Sequence, residues 1–340
     1  MRTTGPSQGA QTPLGGEGAR PPARVRVARR PVHGVLLLDK PLGLTSNQAL
    51  QRVKWLLRAE KAGHTGTLDP LASGVLPLCF GAATKFSQNQ LDADKVYETT
   101  VRLGIRTETA DAEGAIVETL PVTCSLGQVV EVLDRFTGPI TQIPPMHSAL
   151  KKDGKPLYAY ARAGEDIARD ARAVVIHDLE LLHAELTGEA PHLRLRVRCS
   201  KGTYIRTLGE DIGTALGCGG HLQALRRIET GTLTTAACVS LPALEAMAED
   251  ERLACLLPLE TLLPGRARIE LGPDDAGRFL SGVRRRGPWP DAAEVLVYGR
   301  DPQAFLGTAH VQSGELIASR LLSPLDIAQI LKKSPASEPA

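Results

Sequence analysis

Apolar and polar residues alternate with a strict two-residue period over Leu193-Arg194-Leu195-Arg196-Val197-Arg198-Cys199. Successive side chains of a strand point to opposite faces, so this predicts a half-buried strand with three arginines on its wet face. Residues 96–105 carry the same period, with Tyr97, Thr99, Val101 and Leu103 on one face. Residues 34–41 instead form a short continuous apolar run ending in a turn, as expected of a buried strand. Leu50, Val53, Leu56 and Leu57 recur at helical spacing, and Thr45 or Ser46 before them can cap a helix over about 46–60. Further helices are predicted over 125–136 and about 204–216, the latter closed by Gly217.

Weaker patterning divides the chain. Residues 1–30 are rich in Gly, Pro, Ser, Gln and Arg without a hydrophobic period and read as a disordered basic tail, taken as 1–32. Residues 144–172 carry Pro144-Pro145, Gly154, Pro156 and Gly164 among many charges, a long insertion of the kind that is usually functional. Leu262-Leu263-Pro264-Gly265 reads as a domain boundary. A short helix near 273–282 and strands near 293–298, 303–311 and 315–320 then predict a small β-rich module over 263–332, with a polar tail at 333–340. The main domain is 33–262.

Composition narrows the chemistry. Of 340 residues 42% are hydrophobic but only 4% aromatic, so the core is aliphatic. No apolar run approaches the ~20 residues that span a bilayer, and the start of the chain lacks the apolar stretch of a secretory signal. The expectation is a cytoplasmic protein without membrane contact. The six cysteines are scattered without a C-x-x-C pair, which favours reduced thiols over zinc. No dinucleotide, P-loop, nucleophile-elbow or zinc-protease motif is present.

Net charge is +2. Six arginines and one glutamate give residues 1–30 a charge of +5, so the other 310 residues sum to −3. An RNA surface on the body must therefore come from clusters. Candidates are Arg194, Arg196, Arg198, Lys201 and Arg206; Lys151, Lys152, Lys155 and Arg162 interleaved with Tyr158 and Tyr160; Arg226-Arg227; and Arg284-Arg285-Arg286. Basic residues among aromatics suit phosphate contact with base stacking.

The most pointed segment is Gly63-His64-Thr65-Gly66-Thr67-Leu68-Asp69-Pro70-Leu71-Ala72-Ser73-Gly74. Its glycines and proline disfavour a helix, and such a loop can aim the Asp69 carboxylate into a cleft. A reacting carboxylate needs a cation and a pocket. Arg206, in Ser200-Lys201-Gly202-Thr203-Tyr204-Ile205-Arg206-Thr207, is the cation candidate, since a guanidinium stays charged and can pair a carboxylate bidentately. Each residue also has an ordinary reading: an Asp-Pro turn, a surface arginine at a helix start, core tyrosines at 97 and 204, a loop histidine at 64, a solvated Lys85.

The segments Gly34-Val35-Leu36-Leu37-Leu38-Asp39-Lys40-Pro41, Thr45-Ser46-Asn47, the Asp69 loop, Gly81-Ala82-Ala83-Thr84-Lys85, Lys95-Val96-Tyr97, Thr109-Ala110-Asp111-Ala112-Glu113-Gly114, Ser148-Ala149-Leu150-Lys151, the stretch from Cys199 to Arg206, and Gly219-Gly220-His221-Leu222-Gln223-Ala224-Leu225-Arg226-Arg227 occur in this order. Over roughly 34–230 the chain resembles the TruB family of tRNA pseudouridine-55 synthases. The resemblance implies an α+β fold, a mixed, mostly antiparallel sheet flanked by helices, with a small C-terminal PUA-like domain. It implies Asp69 as the catalytic aspartate, Arg206 as its partner, Tyr97 stacked on the target base, Tyr204 in the pocket, His64 everting bases and Leu225 as an apolar contact. Lys85 joins the substrate-binding set, and 144–172 matches a thumb over the T arm.

The implied reaction isomerises uridine 55 of tRNA by base flipping, glycosidic cleavage, uracil rotation and reattachment through C5. It needs no cofactor, no metal and no obligate protein partner. The residues leave open whether the aspartate attacks C1′ or a glycal forms. His147 departs from the family, which typically has a tyrosine there. Two other readings are a tRNA-folding chaperone with incidental isomerase activity and a catalytic subunit acting at sites chosen by a guide RNA.

Overall fold

Ten strands share one mixed sheet in the computed structural model, whose described residues are 28–148 and 150–333. The predicted basic tail lies outside them except for its last few residues, and residues 334–340 of the predicted C-terminal tail lie outside them as well. Along the sheet the order is Val239–Ser240, Gly34–Lys40, Ala72–Phe80, Gly220–Thr230, Lys95–Leu103, His192–Cys199, Arg172–Glu185 and Gly138–Gln142. Ala62–His64 and Leu233–Thr234 add short flanking pairs. Most neighbours are antiparallel; Ala72–Phe80 runs parallel to Gly220–Thr230, and Gly34–Lys40 parallel to Val239–Ser240.

The arginine-faced strand is His192–Cys199, with Leu193, Leu195, Val197 and Cys199 buried and Arg194 and Arg198 exposed. Gly34–Lys40 reads as a continuous apolar run because both its faces are covered. Leu36 and Leu38 pack under the helix Ser46–Leu56, while Val35 and Leu37 meet Leu296, Phe305 and Leu322 of the C-terminal module. The first helix is capped by Thr45 in a reciprocal box with Gln48. It ends at Leu56, short of the expected 60, because Arg58 takes a left-handed φ of 52° and Ala59 bridges to Arg30.

Ala72–Phe80 has no readable period, being buried on both faces and broken by Ser73, Gly74 and Pro77. Gly74 allows its parallel approach to Gly220–Thr230: at φ 103°, a Cβ would lie 2.1 Å from the Arg227 carbonyl oxygen. One core lies between the Ser46–Leu56 helix and the early strands. A second lies under the helices Leu126–Phe136 and Ile205–Ala215. Tyr97 and Leu225 touch both, so the centre of the sheet is the seam between them.

The insertion leaves the sheet after Gln142 and returns at its pairing partner Arg172. It holds a small hairpin, Lys151–Lys152 with Lys155–Pro156, and the short helix Leu157–Ala161. The C-terminal module is a five-stranded sheet in the order Ala267–Leu271, Ala292–Arg300, Gln303–Gln312, Glu315–Leu321 and Arg285–Arg286. Pro324–Lys333 forms a helix that the sequence reading did not anticipate; Ile327 and Ile330 tie it to the core shared with the main domain.

Candidate active site

Asp69 precedes the strand Ala72–Phe80 in a loop held along its length. The Ser46 hydroxyl accepts from the Leu68 N–H at 2.7 Å and donates to the Leu68 carbonyl at 3.0 Å. Gly43 N–H donates to the Pro70 carbonyl and Ala72 N–H to the Asp69 carbonyl, at 2.9 and 3.0 Å. Arg227 is 1% exposed and braces the loop from inside, donating through Nε to the Val75 carbonyl at 2.8 Å and through Nη2 to the Gly66 carbonyl at 3.0 Å. So fixed, the Asp69 side chain stays 40% exposed.

Arg206 meets it. Its Nη2 lies 3.0 Å from Asp69 Oδ2, and its side chain is 7% exposed. The same nitrogen donates to the His147 carbonyl at 2.7 Å, while Nη1 reaches Thr109 O and Asp111 Oδ2, both at 3.4 Å. Asp111 is buried, its other oxygen accepting from Thr109 Oγ1 at 2.5 Å and Glu113 N–H at 3.1 Å. One guanidinium thus sits between an exposed carboxylate and a buried one. Arg206 enters from the first turn of Ile205–Ala215, a helix packed on the second core.

Burial raises the Asp69 pKa above its ordinary 3.8; Arg206 is the strongest opposing influence, with Asp111 adding to the rise and Lys40 opposing it. Lys40 is fully enclosed, donating to the Pro41 and Leu44 carbonyls at 2.8 and 2.6 Å. Burial lowers its pKa to about 8, against the pull of Asp69. Tyr97 is pushed up by burial, and Tyr204 likewise, so both phenols keep their protons near neutrality. Burial and Arg227 lower the His64 pKa, and its Nδ1 is buried without a hydrogen-bond partner, which leaves a neutral ring.

These shifts set a pH profile. If the ionised Asp69 is the active form, kcat/KM rises as pH passes a raised carboxylate pKa, above 3.8. It declines again as pH passes about 8, where Lys40 gives up the charge facing Asp69. Rates measured across this range should show both limbs, and Lys40→Met should remove the alkaline one. A wild-type profile flat on the alkaline side would rule Lys40 out of this role.

The structure brings Asp69 and Arg206 together, with Lys40 coupled to Asp69 and Arg227 holding the loop. Leu225 pairs with Ala72 and with Thr99, beside Tyr97 on the adjacent strand. Lys85 is not brought to Asp69. Its Nζ pairs with Asp326 at 3.0 Å and donates to the Leu321 carbonyl at 3.1 Å, at the C-terminal module. It follows the far end of the nine-residue strand that Asp69 precedes, a span of about 30 Å.

The basic clusters also resolve. Arg227 is a core brace, and Arg226 binds Asp39 through both nitrogens at 3.0 and 2.8 Å. Arg196 is held by Glu98 and Glu180, and Lys201 by Asp92. Glu315 pairs with Arg284 and Arg286. In the insertion, Lys155 lies 4.1 Å over the Tyr160 ring and Arg162 5.3 Å over Tyr158.

Asp111 and Lys40 escaped assignment on sequence, although both stand inside segments that carried the resemblance. Their signal was an acid and a lysine in turn-forming surroundings, and nothing local showed that both would be buried.

Residues 54–205 match the family model described as TruB family pseudouridylate synthase, N-terminal domain. Residues 206–264 match the tRNA pseudouridylate synthase B C-terminal domain. Asp69 and Arg206 fall in different matches, yet both matches contribute strands to the one sheet. The chain is 60% identical over 318 residues to tRNA pseudouridine synthase B of Verminephrobacter eiseniae, covering 93% of this chain and 96% of that protein. It is 57% identical over 308 residues to the protein of that name from Ralstonia nicotianae, covering 89% and 98%. Among solved structures, it is similar to a chain of a Cbf5–Nop10–Gar1 complex, with a TM-score of 0.62 and 25% identity over 86% of this chain and 84% of that one. A chain of an H/ACA ribonucleoprotein bound to a substrate RNA containing 2′-deoxyuridine shares the fold, at a TM-score of 0.62 and 22% identity over 86% of each chain.

Proposed function

The chain belongs to the TruB family of pseudouridylate synthases, and we propose that it converts uridine 55 in the T arm of tRNA to pseudouridine with Asp69 as the catalytic residue. The observation that carries this is the 3.0 Å pair between Asp69 and the buried Arg206, with the acid side chain still 40% exposed. A guanidinium beside a partly buried acid opposes its protonation while leaving it accessible to a sugar.

A uridine inside a folded loop must be everted, at a cost of a few kcal/mol. Stacking on the Tyr97 ring, worth about 1–3 kcal/mol, offsets that, and the neutral His64 ring offers a second flat surface. The C1′–N1 bond breaks with its electron pair leaving on the base. The uracil turns in the pocket, C5 bonds to C1′, and the C5 proton is lost as N1 regains one. Substrate and product are isomers, so nothing else is consumed. Because burial keeps the Tyr97 phenol protonated, it is a poor base, and Asp69 is the group left to act on the ribose, at C1′ or at the C2′ proton.

The relatives' name and their identity favour free tRNA as substrate. The unpaired thiols of all six cysteines support a reducing, cytoplasmic setting. The test is incubation of the purified chain with unmodified tRNA and with a bare T-arm stem-loop, followed by mapping of pseudouridine. Product at position 55 alone, on both RNAs, is expected. Activity that requires an added guide RNA would overturn the reading, and rescue of growth by an inactive Asp69 variant would favour a chaperone.

A further inference from the structure

Tyr204 occupies the N-cap position of the helix that carries Arg206, and it makes no side-chain cap bond of its own. The fixing bonds come from another element. Gln142 Oε1 accepts from the Tyr204 N–H at 3.0 Å, and Gln142 Nε2 donates to the Tyr204 carbonyl at 3.2 Å. Only one orientation of the amide satisfies both, so its two bonds fix each other. Gln142 is 2% exposed. It ends the strand Gly138–Gln142 and pairs with Arg172, which makes it the root of the insertion. Five residues on, the His147 carbonyl takes the 2.7 Å bond from Arg206 Nη2. The limb 142–147 therefore grips the backbone of Tyr204 at one point and the guanidinium of Arg206 at another.

We propose that Gln142 is a positioning residue that ties the Tyr204–Arg206 segment to the root of the insertion, so that any movement of the insertion is felt at the guanidinium facing Asp69. This rests on the reading of Asp69 and Arg206 given above. An angstrom of misplacement in such a pair costs on the order of 100-fold in rate.

The test compares Gln142→Leu, which keeps much of the volume and removes both bonds, with Gln142→Glu, which keeps the acceptor for the Tyr204 N–H and loses the donor. On a T-arm stem-loop, kcat should fall about 10–100-fold for the leucine variant and less for the glutamate variant, with KM within about threefold for both. The acid limb of the leucine profile should move to higher pH, because a displaced Arg206 no longer lowers the Asp69 pKa; a residue that only supports the fold would not move that limb. In an Arg206→Lys background Gln142→Leu should have a smaller effect than in the wild type, since both act through the same group. Unchanged kcat and acid limb, or full additivity with Arg206→Lys, overturns the proposal. If the leucine variant does not fold, an unchanged rate and profile in Gln142→Glu does the same. A wild-type chain inert on the stem-loop would instead sink the proposed function, so the two failures are distinguishable.

Discussion

Asp69→Asn should reduce pseudouridine formation by at least about 1,000-fold while affinity for a T-arm stem-loop stays within about threefold. The amide is nearly the same shape, so Ser46, Gly43 and Arg227 still hold the loop. What disappears is the negative charge, and with it the nucleophilicity and basicity that act on the ribose. Stability should change little. Asp69 is 40% exposed, and burial already disfavours its ionised form, so neutralising it offsets the lost attraction to Arg206. Turnover measured under single-turnover conditions beside binding by filter retention separates the two effects. Activity within tenfold of wild type would reject Asp69 as the reacting group.

Arg206→Met should be costly in both stability and rate. Arg206 is 7% exposed and lies between Asp69 and Asp111, the latter with a side chain only 4% exposed. Removing the cation leaves Asp111 buried with two hydrogen-bond donors and no counter-charge. Breaking a buried pair from one side costs about 3–5 kcal/mol. At about 2–4 °C per kcal/mol for a domain of this size, that is a fall in Tm of roughly 6–20 °C. The rate should fall for a second reason: Arg206 is the largest influence lowering the Asp69 pKa, so without it the acid limb climbs and less of the enzyme is ionised near neutrality. Arg206→Lys should recover part of the stability and little of the rate, since a compact ammonium cannot face two carboxylates and two carbonyls at once. Thermal unfolding and a kcat/KM profile check both statements. A methionine variant that melts within about 2 °C of wild type, with its acid limb in place, would break this account of the site.

Much of the fold was legible because it is local. The strand His192–Cys199 showed in its alternation and the helix Ser46–Leu56 in its spacing and its Thr45 cap. Ala72–Phe80 was not legible, because a strand buried on both faces loses its period and Gly74 and Pro77 imitate a loop. The closing helix was missed although its signal is local, since Ile327, Ile330 and Leu331 recur at helical spacing after Ser323, whose hydroxyl accepts from the Asp326 N–H.

For the site, residue type and order offered Asp69 as a candidate acid beside the ordinary reading of an Asp-Pro turn, and only the resemblance to the family implied the chemistry it would perform. Distance between remote residues is a property of the packed sheet. Folding alone brought Arg206 to 3.0 Å from Asp69, turned Arg227 inward as a brace and sent Lys85 to the other end of a strand. Charge behaves in the same way: the sign of Lys40 or Asp111 is written in the chain, but how strongly each is felt depends on burial, which strand pairing and helix packing create.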